Sequence, residues 1–187
     1  MSDRDHRALL DLLATRSTRR GAFTLSSGRQ SSLYIDARLT TMSPDGLALI
    51  GPLGLAALRD TGWPVDAVGG LTLGADPVAY AISYASAATS APLRAFTVRK
   101  EAKGHGTGKL IEGPYHEGDV VAIVEDVITT GASALRAADA VRAAGGAVAG
   151  VIAVVDREEG GREALQRAGF DVVSLTRASE IVPLVPV

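Results

Sequence analysis

Short, mainly apolar runs alternate with helix-length segments along most of this chain. The runs are Val65–Val68, Leu93–Val98, Val120–Val124, Ala147–Val155 and Val172–Leu175. Between them, Ser43-Pro44-Asp45 supplies an N-cap with proline at the first helical position, predicting a helix toward Arg59. Further helices are expected over Asp76–Ala88, with Tyr80 and Tyr84 on one face, over Ser133–Ala144 and over Glu159–Ala168. Strands that are apolar throughout and separated by helices indicate a parallel sheet covered on both faces. The N-terminal part departs from this rhythm. Asp5–Thr15 places Ala8, Leu9, Leu12 and Leu13 at helical spacing, and Ala22–Leu25 and Leu33–Ile35 form short strands around the turn Ser26–Gly28. The expectation is one α/β domain over residues 1–187: a central parallel sheet flanked by helices, with a small hood lobe built largely from about residues 1–40.

Composition narrows the function classes. A chain of 187 residues with 47% hydrophobic content suffices for one sizeable core. A net charge of −2 argues against a surface built for nucleic acid. No long apolar run is present, and MSDRDHRALL is too charged for a signal peptide, so a cytoplasmic location is expected. The absence of cysteine excludes disulfides and thiolate metal sites. Of nineteen basic residues only Lys100, Lys103 and Lys109 are lysines, all within Arg99–Lys109. Such clustering in one glycine-rich segment suggests a local need for a compact ammonium on a flexible stem.

The most informative stretch is VVAIVEDVITTGAS, Val120–Ser133. An apolar strand runs into Glu125-Asp126, Val127-Ile128, then Thr129-Thr130-Gly131-Ala132-Ser133 and a helix. In an open parallel sheet such a turn lies beyond the carboxyl ends of the strands, where ligands bind. Small residues let the backbone approach a phosphate, and the helix N-terminus offers N–H donors and a favourable dipole. Carboxylates beside a phosphate repel it unless they bind another part of the ligand; ribose hydroxyls suit them, and a magnesium ion can share the site. The alternative is a plain helix N-cap preceded by surface acids. The second stretch, Arg99 to Lys109, sets four cations and His105 among three glycines. Its Gly108-Lys109 lacks the spacing and following hydroxyl of a nucleotide-triphosphatase loop. A mobile cationic flap suits the release of an anionic leaving group, whereas the bland alternative is a solvated basic loop.

VVAIVEDVITTGAS resembles the phosphoribosyl-pyrophosphate motif of the type I phosphoribosyltransferases, and VRKEAKGHGTGKLIEG is similar to the catalytic loop of their orotate phosphoribosyltransferase branch. FTLSSGRQSSLYIDAR (Phe23–Arg38) resembles the hood segment over the base, GGLTLGADPVA (Gly69–Ala79) the pyrophosphate loop, and VVDREEGGREAL (Val154–Leu165) the Asp-Arg-x-Glu stretch that helps hold orotate. The resemblance implies transfer of the 5-phosphoribosyl group of phosphoribosyl pyrophosphate to orotate, giving orotidine 5′-phosphate and pyrophosphate. It implies Lys103 and Asp126 as catalytic residues. Phosphoribosyl pyrophosphate would be bound by Arg99, Lys100, Lys103, His105, Glu125, Asp126, Val127, Ile128, Thr129, Thr130, Gly131, Ala132 and Ser133. Orotate would be held by Thr129 and Arg157, the latter suited to a carboxylate. Magnesium would ride mainly on the substrate, with no protein residue as its ligand. A homodimer with the 99–109 loop acting across subunits is also implied, with no nucleic-acid or membrane partner. Lys109 receives no role. Ser26 and Leu73 stand where many or some members carry lysine; Arg29 or Arg38 could supply the missing charge. His6 and His116 read as surface residues, and Trp63 as capping a helix end. The rivals are a transferase for another base and a non-catalytic regulator that senses phosphoribosyl pyrophosphate.

Overall fold

The computed structural model describes residues 3–24, 30–101 and 109–186. Strands β1 (Thr18–Thr24) and β2 (Gln30–Ile35) pair as an antiparallel hairpin. The main sheet comprises β3 (Ala67–Leu71), β4 (Arg94–Val98), β5 (Ile111–Glu112), β6 (Val120–Ile128), β7 (Ala147–Asp156) and β8 (Val172–Arg177). Their order is β5-β4-β3-β6-β7-β8, parallel except for β5 on the β4 edge. Helices α1 (Asp3–Leu12), α2 (Arg38–Thr41), α3 (Pro44–Asp60), α4 (Ala75–Ser86), α5 (Ala132–Ala143), α6 (Gly161–Arg167) and α7 (Ala178–Ile181) complete the chain.

The strand alternation sorts the core into two layers. Val121 and Ile123 of β6, with Val151 and Ala153 of β7, face α5 and join Ala137, Val141, Leu165 and Phe170. Their neighbours Ala122, Val124, Ile152 and Val154 face the other side and pack with Leu13, Ile50, Leu58, Val78 and Ile82. Burial on both faces explains why these strands read as unbroken apolar runs. Ser43 caps α3 as expected, its hydroxyl accepting the Gly46 N–H at 3.2 Å with Pro44 at the first position.

Several boundaries differ from the sequence reading. β6 continues past Val124 through the acidic pair, because its β7 edge stays hydrogen-bonded to Ile128 opposite Asp156. The first helix gives way to a π-helical turn over Leu13–Ser17. α6 starts at Gly161 rather than Glu159, because Glu158 (φ 57°) and Gly160 (φ 93°) take left-handed conformations that end any helix there. Just beyond the Arg99–Lys109 segment, Ile111–Glu112 form β5, a strand that the sequence reading did not include. Trp63 does not cap a helix: Thr61 closes α3, and the indole lies over Gly150 of β7, where any Cβ would collide with it. His6 is half-buried rather than on the surface, and its Nε2 lies 3.0 Å from the Leu175 carbonyl. α1 packs against α3 and β8, so within the N-terminal segment the hairpin is what stands apart from the sheet.

β3 and β6 are the adjacent strands whose outgoing connections run in opposite directions, β3 through α4 to β4 and β6 through α5 to β7. They pair only from Ala67–Val121 to Gly69–Ile123. Beyond that register they part, opening a crevice at their carboxyl ends, the expected ligand position in such a sheet.

Candidate active site

A cleft of about 290 Å³ occupies this crevice. Its walls come from β2 and the turn after it (Tyr34, Asp36, Arg38), the β3–α4 turn (Thr72, Leu73, Gly74), β6 (Glu125, Asp126) and the residues beyond (Thr129, Ser133, Arg157), with Lys100 at the rim. Glu125 is 5% exposed, and its Oε1 has no hydrogen-bond partner among the described residues. Burial, aided by the neighbouring Asp126 charge, pushes its carboxyl up to about 8. Burial also raises the Asp126 carboxyl; the Val127 N–H donated to its Oδ1 at 2.9 Å and the positive charge of Arg38 pull the other way. The wall opposite Asp126 is backbone: a Cβ at Gly74 would strike the Asp126 carboxylate. Two acids that form no ion pair with a cation among the described residues are suited to accept hydrogen bonds from adjacent hydroxyls of a ligand.

A few residues after the acids the chain turns at Gly131 (φ 79°) into α5; Gly131 has no side chain to cap that helix, and only a long bond of 3.4 Å joins the Ala132 N–H to Thr130 Oγ1. Residues Thr129 to Ala134, with Glu125, Val127 and Ile128, line a bowl of about 90 Å³. Thr130, Ala132 and Ser133 are exposed at its mouth. A bowl of backbone and hydroxyl groups at a helix N-terminus fits a phosphate. The β3–α4 turn provides a second such surface. There the one acid of α4's first turn, Asp76, is drawn away by hydrogen bonds from Thr72 at 2.7 Å and Thr97 at 2.8 Å.

Arg157 follows β7, with its N–H donated to the Ile128 carbonyl at 3.0 Å. Its guanidinium pairs with Glu159 at 2.6 Å and is 6% exposed, aligned between β6 and the hairpin strand β2. Asp156 beside it is held by Arg162 at 2.6 Å, which fixes the start of this turn. Lys100 reaches the cleft while its carbonyl accepts a bond from Arg136 at 3.0 Å. Arg99 does not line the cleft: its N–H binds the Leu110 carbonyl at 2.8 Å and its guanidinium lies 3.7 Å from Glu112. Lys103 and His105 lie outside the described residues, as do Ser26 and Arg29.

Glu125, Asp126, Val127, Thr129, Ser133, Lys100 and Arg157 thus meet in one cleft. Ile128 lines the bowl rather than the cleft, and it is buried in the α5 layer. Sequence reasoning missed Tyr34 and Asp36 and gave Arg38 no definite place. The available signal was an aspartate and an arginine two residues apart immediately after a strand. Arg38 donates Nε to Asp36 Oδ1 at 2.8 Å and Nη2 to Oδ2 at 3.0 Å.

No family model matches the chain. It is 49% identical over 160 residues to the orotate phosphoribosyltransferase of Aquifex aeolicus, covering 86% of each protein. Among solved structures, the Mycobacterium tuberculosis orotate phosphoribosyltransferase in complex with Fe(III) dicitrate superposes with a TM-score of 0.82 at 44% identity, covering 95% of this chain and 98% of that one. The same mycobacterial enzyme in complex with phosphoribosyl pyrophosphate gives a TM-score of 0.76 at 40% identity, over 95% and 99% of the two chains.

Proposed function

From the premise that this chain belongs to the orotate phosphoribosyltransferase family, we propose how its residues divide the work of joining orotate to phosphoribosyl pyrophosphate. The reaction yields orotidine 5′-phosphate and pyrophosphate, a step of pyrimidine biosynthesis. The observation that carries the assignment of roles is the pair of buried Glu125 and half-buried Asp126 a few residues ahead of the N-terminus of α5, with Arg157 on the same cleft.

The bowl at 129–133 takes the 5-phosphate, and Glu125 and Asp126 accept hydrogen bonds from the ribose hydroxyls. Arg157, with Thr129, takes the carboxylate of orotate; a guanidinium can engage it through two parallel bonds. Orotate is already anionic and attacks the anomeric carbon without a strong general base. The bond to pyrophosphate loosens as the ring gains oxocarbenium character, which the nearby Asp126 carboxylate stabilises electrostatically. Lys100 of the same cleft and, from the 99–109 loop of the neighbouring subunit, Arg99, Lys103 and His105 meet the charge of the departing pyrophosphate, with Lys103 the principal cation.

The hard oxygens of Glu125 and Asp126, one of them without a partner, fit a site shared with magnesium carried on the substrate and water. When bound, the ion supplies charge neutralisation on the pyrophosphate oxygens. We place the reaction in a cytoplasmic homodimer whose 99–109 loop crosses to the neighbouring site. No helix among the described residues is long and apolar enough to cross a membrane.

A panel of orotate, uracil, hypoxanthine and adenine assayed with phosphoribosyl pyrophosphate and magnesium tests the reading. Orotate alone should turn over; turnover of a purine or uracil without orotate would overturn it.

A further inference from the structure

The chain has Leu73, 54% exposed, on the cleft wall beside Gly74, a position that offers no charge to an anionic ligand. Three anionic groups must nevertheless be accommodated: a 5-phosphate, an orotate carboxylate and a pyrophosphate. The first has the α5 bowl. The second has Arg157, which is aligned by Glu159 and the hairpin strand at one side of the cleft. Arg38 and Lys100 are the other cations lining the cleft among the described residues.

Arg38 lines the cleft but not the α5 bowl. Its charge acts on Asp126, and the Asp126 carboxylate is in turn packed against Gly74 of the β3–α4 turn. Arg38 lines the same cleft as Thr72, Leu73 and Gly74 of the turn that leads into α4. Asp36 grips its guanidinium through two bonds along one edge, Nε and Nη2, while the backbone N–H of Arg38 also binds Asp36 at 3.2 Å. The side chain remains about half exposed, at 47%. This leaves the far edge of the fork, Nη1, for a ligand oxygen.

The geometry points to Arg38 as a substrate-binding residue for the pyrophosphate group. Held by Asp36, it supplies from β2's end the charge that Leu73 cannot supply from the β3–α4 turn. This rests on the cleft being the orotate phosphoribosyltransferase site. Binding an anion would not require breaking the Asp36 pair, because the two use different edges of the same planar group. Asp36 is then a positioning residue, fixing the fork so that little side-chain freedom is lost on binding.

The test compares wild-type protein, Arg38→Ala, Arg38→Lys and Arg38→Ala/Leu73→Lys. The wild type must first convert orotate; if it does not, the parent reading fails independently of Arg38. In Arg38→Ala the KM for phosphoribosyl pyrophosphate should rise about tenfold or more, the loss expected for one charge-assisted bond. Inhibition by added inorganic pyrophosphate should weaken in parallel, while the KM for orotate stays within about twofold. Arg38→Lys should restore part of the loss, and adding Leu73→Lys should restore part of it from the other wall. A rise in the orotate KM instead, or unaltered pyrophosphate inhibition, would overturn the assignment. Should Arg38→Ala fail to fold, Arg38→Gln keeps a donor toward Asp36 and yields the same readouts.

Discussion

Glu125 sits at an unfavourable position for its own charge, and that has consequences for both stability and binding. Its folded value of about 8 exceeds the ordinary value of 4.5. Below 4.5 the carboxyl is neutral in both states and nothing is lost. As pH rises the unfolded chain ionises first, so the native state is increasingly penalised until the penalty is complete above about 8. Glu125→Gln removes the charge and keeps the shape. Its stability gain should be negligible near pH 4.5, grow through neutrality and reach on the order of a few kcal/mol at alkaline pH. Urea melts of the two proteins across this range check the slope; a pH-independent difference would contradict it. The same variant should bind phosphoribosyl pyrophosphate more weakly, since an amide gives up an acceptor for ribose hydroxyls. Arg157 presents the complementary case. Arg157→Ala should raise the KM for orotate about tenfold or more with a smaller effect on phosphoribosyl pyrophosphate. Steady-state kinetics with each substrate varied separates these outcomes.

At the scale of elements, the decisive feature is the parting of β3 from β6 after Gly69–Ile123, because it creates the space the acids face. Gly74 preserves that space. Its φ is ordinary for any residue, so the need for glycine is one of proximity to the Asp126 carboxylate. Gly74→Ala should cost about 1–3 kcal/mol of stability through overpacking and raise the KM for phosphoribosyl pyrophosphate more than that for orotate. Denaturant titration together with kinetics would test both parts. How far the sequence exposes this site depends on which forces shape each piece. β6, α5 and their turn are legible because apolar burial on two faces, small residues and an acidic pair all leave local marks. The hairpin is less legible: β1 and β2 are mostly polar, so Thr18–Thr24 and Gln30–Ile35 extend well beyond their apolar residues. Tyr34, Asp36 and Arg38 belong to that hairpin end. Their meeting with Asp126 and Gly74 depends on how the hairpin lies over the crevice, a tertiary fact with no periodicity. The early end of β6 expected at Val124 failed for a related reason, since strand pairing with β7 persists where one side chain must face a cleft.

For the whole molecule, the proposed action of the 99–109 loop across subunits carries a prediction of its own. Its described feet are tied within the protomer, through Arg99 to Leu110 and Glu112 and through Arg136 to Lys100. The family resemblance implies reach into a neighbouring site, and two variants with separate defects can distinguish the alternatives. Lys103→Ala impairs only the loop, and should reduce turnover far more than binding of phosphoribosyl pyrophosphate. Asp126→Asn impairs only the cleft. If the loop serves its own protomer, every subunit in a mixture carries one defect and activity stays at the sum of the two singles. If it crosses a two-fold interface, each mixed dimer contains one site with an intact cleft and an intact borrowed loop. Random exchange at equal concentrations makes half the dimers mixed, so activity should recover to about a quarter of wild type. Recovery on mixing, measured after subunit exchange has equilibrated, would therefore locate the loop's action in the partner, and its absence in a verified mixed dimer would locate it at home.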